Sequence, residues 1–132
     1  MSADENFQAL SRKPDAPFAV SLAAIRDFGR SFYASGQVAK RGDSLIATGL
    51  VGHDVNLELA QECAWQCAIN VLDSVQKELG SLDKIDYVVR LGFYVASADG
   101  FSEQHPVANV PSQVFLSVFG DLHGRVSHNA LV

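Results

Sequence analysis

Several things are scarce in this chain, and each shortage excludes a class of protein. Only two of the 132 residues are cysteine, too few for the disulfide framework of a small secreted domain. No apolar run approaches the roughly 18 residues that a membrane-spanning helix needs. Charged residues make up 19% of the chain and hydrophobic ones 48%, which is the composition of a folded protein and excludes a disordered one.

Positive charge is also scarce. The formal net charge is −5 and the isoelectric point is near 5.2, so the overall field does not favour a groove for nucleic-acid phosphates. The first ten residues contain Asp4 and Glu5 and no basic segment, which predicts that there is no signal peptide. We therefore expect a cytoplasmic protein with neither a nucleic-acid nor a membrane partner.

A chain of this length fits one domain. Residues 1–17 are polar and contain Pro14 and Pro17, a composition typical of a loosely held N-terminal arm. The pattern changes at Phe18, where apolar residues become frequent. We therefore predict an arm over 1–17 and a single domain over 18–132.

Two helices and several strands are predicted within this domain. Alternating β-branched and aromatic residues indicate strands over 31–38, 44–48 and 87–96, while 19–25 is interpreted as a strand or a packed loop. Apolar residues near the 3.6-residue period predict a helix over 57–79, capped by Asp54 or Asn56 and ended by Gly80. A second helix is predicted over 109–119, which would place Pro111 in its first turn. The order of elements predicts an α+β fold with one sheet and both helices on one face.

Few residues carry an obvious chemistry. Cys63 and Cys67 share one face of the first helix, where buried small side chains are favoured over a metal-binding pair. The four histidines show no ligand spacing, so we predict no metal and no cofactor; they are His53, His105, His123 and His128.

Two glycine-containing segments have a turn as their simplest interpretation. Gly49 and Gly52 precede the first helix, where backbone N–H groups can bind an anion, but a turn is favoured. The tripeptide 41–43 spells an adhesion motif, yet glycine and aspartate also belong at a hairpin tip.

One cation stands out near the end of the chain. Arg125 follows the second helix and a glycine-containing loop, close to the start of a short apolar stretch that ends at Val132 and is predicted to form a final strand. A guanidinium there can bind a carboxylate through two parallel hydrogen bonds. An ordinary surface position is the alternative.

Several short motifs occur in a specific order along the chain. They include Ser35-Gly36-Gln37, Gly49-x-Val51-Gly52-x-Asp54, Ala68-Ile69-Asn70-Val71-Leu72, Leu79-Gly80-x-Leu82-Asp83, and Phe101-x-Glu103-Gln104-x-Pro106-Val107-x-Asn109-x-x-Ser112. Together, over about 18–125, they resemble the longer-loop branch of the RidA/YjgF superfamily, the reactive-intermediate deaminases that also carry the name endoribonuclease L-PSP.

The resemblance implies a chorismate-mutase-like α+β fold, with a mixed sheet and two helices packed on one face. It also implies a homotrimer with ligand clefts between subunits. Deaminase members hydrolyse small 2-imino or 2-enamino acids without a cofactor. In that reaction an arginine holds the carboxylate of the substrate, and water adds to the imine carbon.

The family's site residues map onto four positions of this chain. Arg125, within His123-Gly124-Arg125, resembles the carboxylate-binding arginine. Ser35 and Asn109 match positions that line the cleft, and Leu22 falls near a position that is often tyrosine in active deaminases.

The chain departs from the family pattern after Arg125. The family continues with a Leu-Pro turn and a last strand that bears a glutamate, whereas this chain continues with 126–132 and shows neither feature. Two functions therefore stay open, an imine or enamine deaminase and a non-catalytic trimer that binds small carboxylates. The ribonuclease activity is disfavoured by the net charge. A sheet edge without its last strand also needs a cover, for which we predict residues 129–132, the N-terminal arm or another subunit.

Overall fold

The computed structural model describes Glu5 and residues 25–28, 31–86, 88–120 and 128–131. The described chain contains two α-helices, six short strands and one 3₁₀ turn. In chain order the elements are β1 (Ile25–Phe28), β2 (Ser31–Ala34), β3 (Lys40–Arg41), β4 (Ser44–Leu45), α1 (Leu57–Leu79), the 3₁₀ turn (Leu82–Lys84), β5 (Leu91–Tyr94), α2 (Gln104–Phe119) and β6 (His128–Leu131).

Helix α1 has the bounds that the sequence predicts, because a capping residue is present at each end. At its start the side-chain oxygen of Asn56 accepts a hydrogen bond from the Leu59 backbone N–H at 2.8 Å, so Asn56 and not Asp54 is the cap. At its end Gly80 adopts a left-handed conformation with φ of 85°. Its N–H donates to the Gln76 carbonyl and satisfies one of the last free carbonyl groups.

Helix α2 begins at Gln104, so the predicted start at 109 is wrong. The prediction placed Pro111 in the first turn because a proline inside a helix lacks one N–H and crowds the carbonyl four residues back. In the structure Pro106 occupies the first turn, and Pro111 lies further inside on the buried side of the helix. The burial of Pro111 thus outweighs its local preference for the first turn.

The two helices pack side by side in parallel. Ala60, Ala64 and Ala68 are spaced four apart on α1 and are almost completely buried, with Ala64 only 1% exposed. These small side chains let α2 approach closely, and two apolar clusters form along the contact. One cluster joins Ala60 and Ala64 to Val107, near the start of α2, and the other joins Ala68 to Phe115, near its end.

The strands pair in twos. β1 pairs with β2 and β3 with β4, both antiparallel, while β5 pairs with β6 in parallel. The strands are shorter than the patterns predict, but the α+β class is confirmed. β6 lies along β5 with Leu91 opposite His128, which is one of the three covers predicted for this edge.

Within the described ranges, neither helix combines the length and the apolar character needed to cross a membrane.

A polar network ties α1 to the hairpin formed by β3 and β4. The Asn70 amide donates to the carbonyls of Val38 and Lys40 at 3.0 and 2.9 Å, and it accepts from Gln66 at 2.9 Å. Gln66 in turn accepts from the Arg41 guanidinium at 3.2 Å. Arg41 also reaches Glu62, so it serves the packing of the hairpin and leaves the adhesion interpretation without support.

We predict that Asn70→Ala destabilises the fold by about 1–3 kcal/mol, because the Lys40 carbonyl and the Gln66 amide lose this partner and the Val38 carbonyl keeps only the Lys40 N–H. Urea denaturation of the purified protein measures this. Asp73→Ala, an exposed change less than one turn further along α1, is the matched control and should stay within about 0.5 kcal/mol of wild type. Equal stabilities of the two variants would contradict a structural role for Asn70.

Candidate functional site

The glycine loop before α1 is built around the side chain of Asp54. One carboxylate oxygen accepts the Leu50 N–H at 3.0 Å, and the other lies 2.9 Å from His53 Nδ1. Gly49 has a φ of 113°, and a Cβ there would lie only 2.6 Å from the carboxylate. A glycine is therefore required for the turn to close.

These contacts decide between the two interpretations of the loop. The hydrogen bond from Leu50, followed by that from His53, lowers the pKa of Asp54 below its usual 3.8. The loop thus supplies its own carboxylate to the N–H group that a bound anion would need. The interpretation of 49–52 as a turn is supported, and the described contacts give no support to an anion cradle.

The same loop anchors the segment that precedes α2. The Val51 N–H donates to the Ala96 carbonyl and the Val51 carbonyl accepts from the Ala98 N–H, both at 2.9 Å, in the segment that follows β5. A Cβ on Gly52 would come within 2.8 Å of the Phe101 ring, which packs directly against this glycine. The glycine loop therefore fixes where the loop after β5 runs and where α2 begins.

A small cavity of about 160 Å³ lies between α1 and the segment around β5. Cys63 and Cys67 both line it, together with Phe93 and Val95. Burial is the main cause that raises the pKa of both thiols, so they stay protonated near neutral pH. In the described part of the chain, no three His, Cys, Asp or Glu side chains come together as a metal site would require.

A larger groove of about 600 Å³ runs between the outer sides of α1 and α2. Its lining combines apolar side chains with amides and a hydroxyl, and none of the lining residues is charged. They are Gln61, Trp65, Pro106, Asn109, Val110, Gln113, Val114, Ser117 and Val118.

The four predicted site residues fall in different places. Asn109 is exposed and lines the groove between the helices. Ser35 is half-buried just after β2 and lines neither of the two cavities. Leu22 and Arg125 lie outside the described residues. The cleft predicted from these four positions therefore stays a prediction.

Sequence reasoning missed the groove and three of the side chains that form it. These three side chains are Gln61 and Trp65 on α1 and Gln113 on α2. One signal was present: Asn109, Gln113 and Ser117 repeat every four residues and so share one side of α2. That α1 lies beside this row was not visible in the pattern.

Comparison with known proteins gives both sequence and structural relatives. The chain is 38% identical over 97 residues to Protein TCP17 of Trypanosoma cruzi; the match covers 74% of this chain and 61% of TCP17. The crystal structure of Atu1372 from Agrobacterium tumefaciens, a protein of unknown function, superposes with a TM-score of 0.79 at 34% identity, covering 96% of this chain and 79% of that one.

A second solved structure has a similar fold. A "putative endoribonuclease" of Shewanella oneidensis superposes with a TM-score of 0.79 at 19% identity, covering 96% of this chain and 85% of that one. Its low identity makes it evidence for the fold alone. No family model matches the chain.

We predict that the stabilising effect of Asp54 depends on pH. Its pKa is lowered in the folded state, so its contribution is present above about pH 3.8 and is lost as the pH falls through the folded-state value. Asp54→Asn should therefore be less stable than wild type at pH 7, and the difference should shrink towards pH 3. Urea denaturation at both pH values measures this, and a constant difference would contradict it.

Proposed function

The fold of the chain is RidA-like, and from this premise we propose that the chain is a member of the RidA/YjgF superfamily that binds small 2-imino or 2-enamino acids and hydrolyses them to 2-oxo acids and ammonia. The observation that carries the proposal is the RidA-like fold, which the structural comparison supports over nearly the whole chain. The sequence motifs add the positions at which family members hold their substrate.

The proposed reaction balances without a cofactor. Water adds to the electrophilic imine carbon, the carbon–nitrogen bond breaks, and ammonia leaves while the carbon becomes a ketone. Arg125 is proposed to hold the substrate carboxylate through two hydrogen bonds, and Ser35, Asn109 and Leu22 to line the cleft around it. An imine is already reactive, so orientation and charge placement supply much of the acceleration.

A subunit interface is proposed as the location of this cleft. Side chains alternate along β5: Phe93 packs into the core, whereas Tyr94 on the opposite side is 66% exposed. Val38 and Leu45, next to and within the hairpin strands, are also largely exposed. Large apolar side chains left in solvent around strands support burial against other subunits, and we propose a homotrimer.

One observation favours a second candidate function, the binding of small carboxylates without turnover. Neither of the two cavities described above is lined by an aspartate, glutamate or histidine that would activate water. Both candidates share the carboxylate ligand and the trimer, and they differ only in whether ammonia is released. Under either candidate the protein is proposed to be cytosolic, where its two free thiols stay reduced.

We predict that the protein speeds ammonia release from a freshly generated 2-imino acid, and that Arg125→Ala lowers this rate at least about tenfold, because a charge-assisted bidentate contact is lost. A coupled ammonia assay measures the rate. Lys77→Ala on α1, far along the chain from the proposed cleft, is the control and should keep the wild-type rate.

Two outcomes separate the candidates. If the wild type adds nothing to the spontaneous rate with any of several imino acids, the deaminase proposal is wrong. Thermal stabilisation by a 2-oxo acid that disappears in Arg125→Ala would then establish the binding function.

We predict a solution mass near three times 14.2 kDa. Tyr94→Lys should shift it towards the monomer, because a lysine would be buried at the proposed interface. Glu78→Lys also introduces a lysine, but at an exposed position of α1, and this variant should remain a trimer. Size-exclusion chromatography with light scattering measures the masses. A monomeric wild type would contradict the proposed assembly.

A further inference from the structure

The groove between the helices has an ordered lining. On α2 a row of polar side chains four residues apart runs beside a row of valines with the same spacing. The polar row is Asn109, Gln113 and Ser117, and the apolar row is Val110, Val114 and Val118. Gln61 and Trp65, also four apart, form the α1 side.

The polar atoms of this lining are only partly used by the protein. Gln61 donates its amide to the Pro106 carbonyl at 3.2 Å, which leaves its side-chain oxygen as an acceptor. Ser117 donates to the Gln113 carbonyl within the helix. The side-chain amides of Asn109 and Gln113 have no hydrogen-bond partner among the residues that the structure describes. Each therefore offers one donor group and one acceptor to a ligand.

The lining also specifies the charge of a ligand. A fifth of the chain is charged, yet none of the nine residues around the groove is. A carboxylate or an ammonium group would lose hydration there without gaining an opposite charge. A neutral group that both donates and accepts hydrogen bonds matches the amides.

Trp65 adds a flat apolar surface. Its side chain is 46% exposed although it lies beside the valine row. An exposed indole offers a face for stacking a planar ring and gains from being covered. The volume of about 600 Å³ lies within the size range typical of small-molecule sites.

We propose that this groove is a second binding site, for a neutral planar ring that bears a carboxamide or lactam. The ring stacks on Trp65, and its amide edge pairs with Asn109 and Gln113. The site lies on the outer side of the helices. It shares Asn109 with the carboxylate-binding cleft proposed above, but it differs from that cleft in taking an uncharged ligand and in its use of Trp65 and Gln113.

Benzamide is the probe that tests this proposal. Trp65 is the only tryptophan of the chain, so its fluorescence reports on the groove directly. We expect a saturable change with a dissociation constant in roughly the millimolar range, as fits a ligand of so few atoms. Benzoate, of the same shape but charged, and acetophenone, which lacks the N–H donors, should each bind at least about fivefold more weakly.

Matched variants locate the probe. Gln113→Ala should weaken benzamide binding at least about threefold and leave ammonia release unchanged. Gln76→Ala removes an exposed amide elsewhere, on α1, and should bind as the wild type does. If Gln113→Ala does not fold, Trp65→Leu replaces it. Benzamide binding to that variant is measured by backbone amide NMR shifts, and it should weaken because the stacking surface is lost.

Three results would overturn the proposal. They are the absence of saturation by benzamide, equal affinity for benzoate and benzamide, and wild-type binding by the folded Gln113→Ala variant. Loss of the deaminase activity proposed above would have no bearing on any of them, because the readout here is binding in the groove.

Discussion

The close contact between α1 and α2 is the constraint on which the rest of this structure depends. Three alanines on α1, at 60, 64 and 68, present little side-chain volume, so larger side chains of α2 pack directly against this side of α1. Val107 and Phe115 fill the space on either side of Ala64 and Ala68. A larger residue in this row would push the helices apart and open both apolar clusters at once.

Beside this contact, α1 has two further surfaces, one that faces the hairpin and one that faces the groove, and their polar residues have different roles. On one side α1 holds the hairpin through Asn70 and Gln66, which satisfy strand carbonyls and the Arg41 guanidinium. On the outer side the two helices leave an uncharged groove. The structural polar groups are therefore bonded within the protein, whereas the amides of Asn109 and Gln113 remain available.

The motif residues in the glycine loop have a structural role, because they shape the turn and its contacts. Asp54 closes the turn on Leu50, Gly49 makes room for it, and Gly52 makes room for Phe101. These contacts join the entry of α1 to the loop after β5 and so set the start of α2. The glycine loop therefore connects the start of α1 to the segment that leads into α2. The proposed chemistry depends on other residues.

Features that arise from neighbours in the chain could be inferred from the residues alone. Asn56 and Gly80 end α1 through bonds within one turn, so both bounds were predicted correctly. The motif order was enough to predict the RidA-like fold and the α+β class. The early start of α2, the buried Pro111 and the groove needed the folded chain. Each depends on two helices lying side by side. The free energy gained by burying the surface between the helices exceeds the local preference of Pro111 for the first turn of a helix.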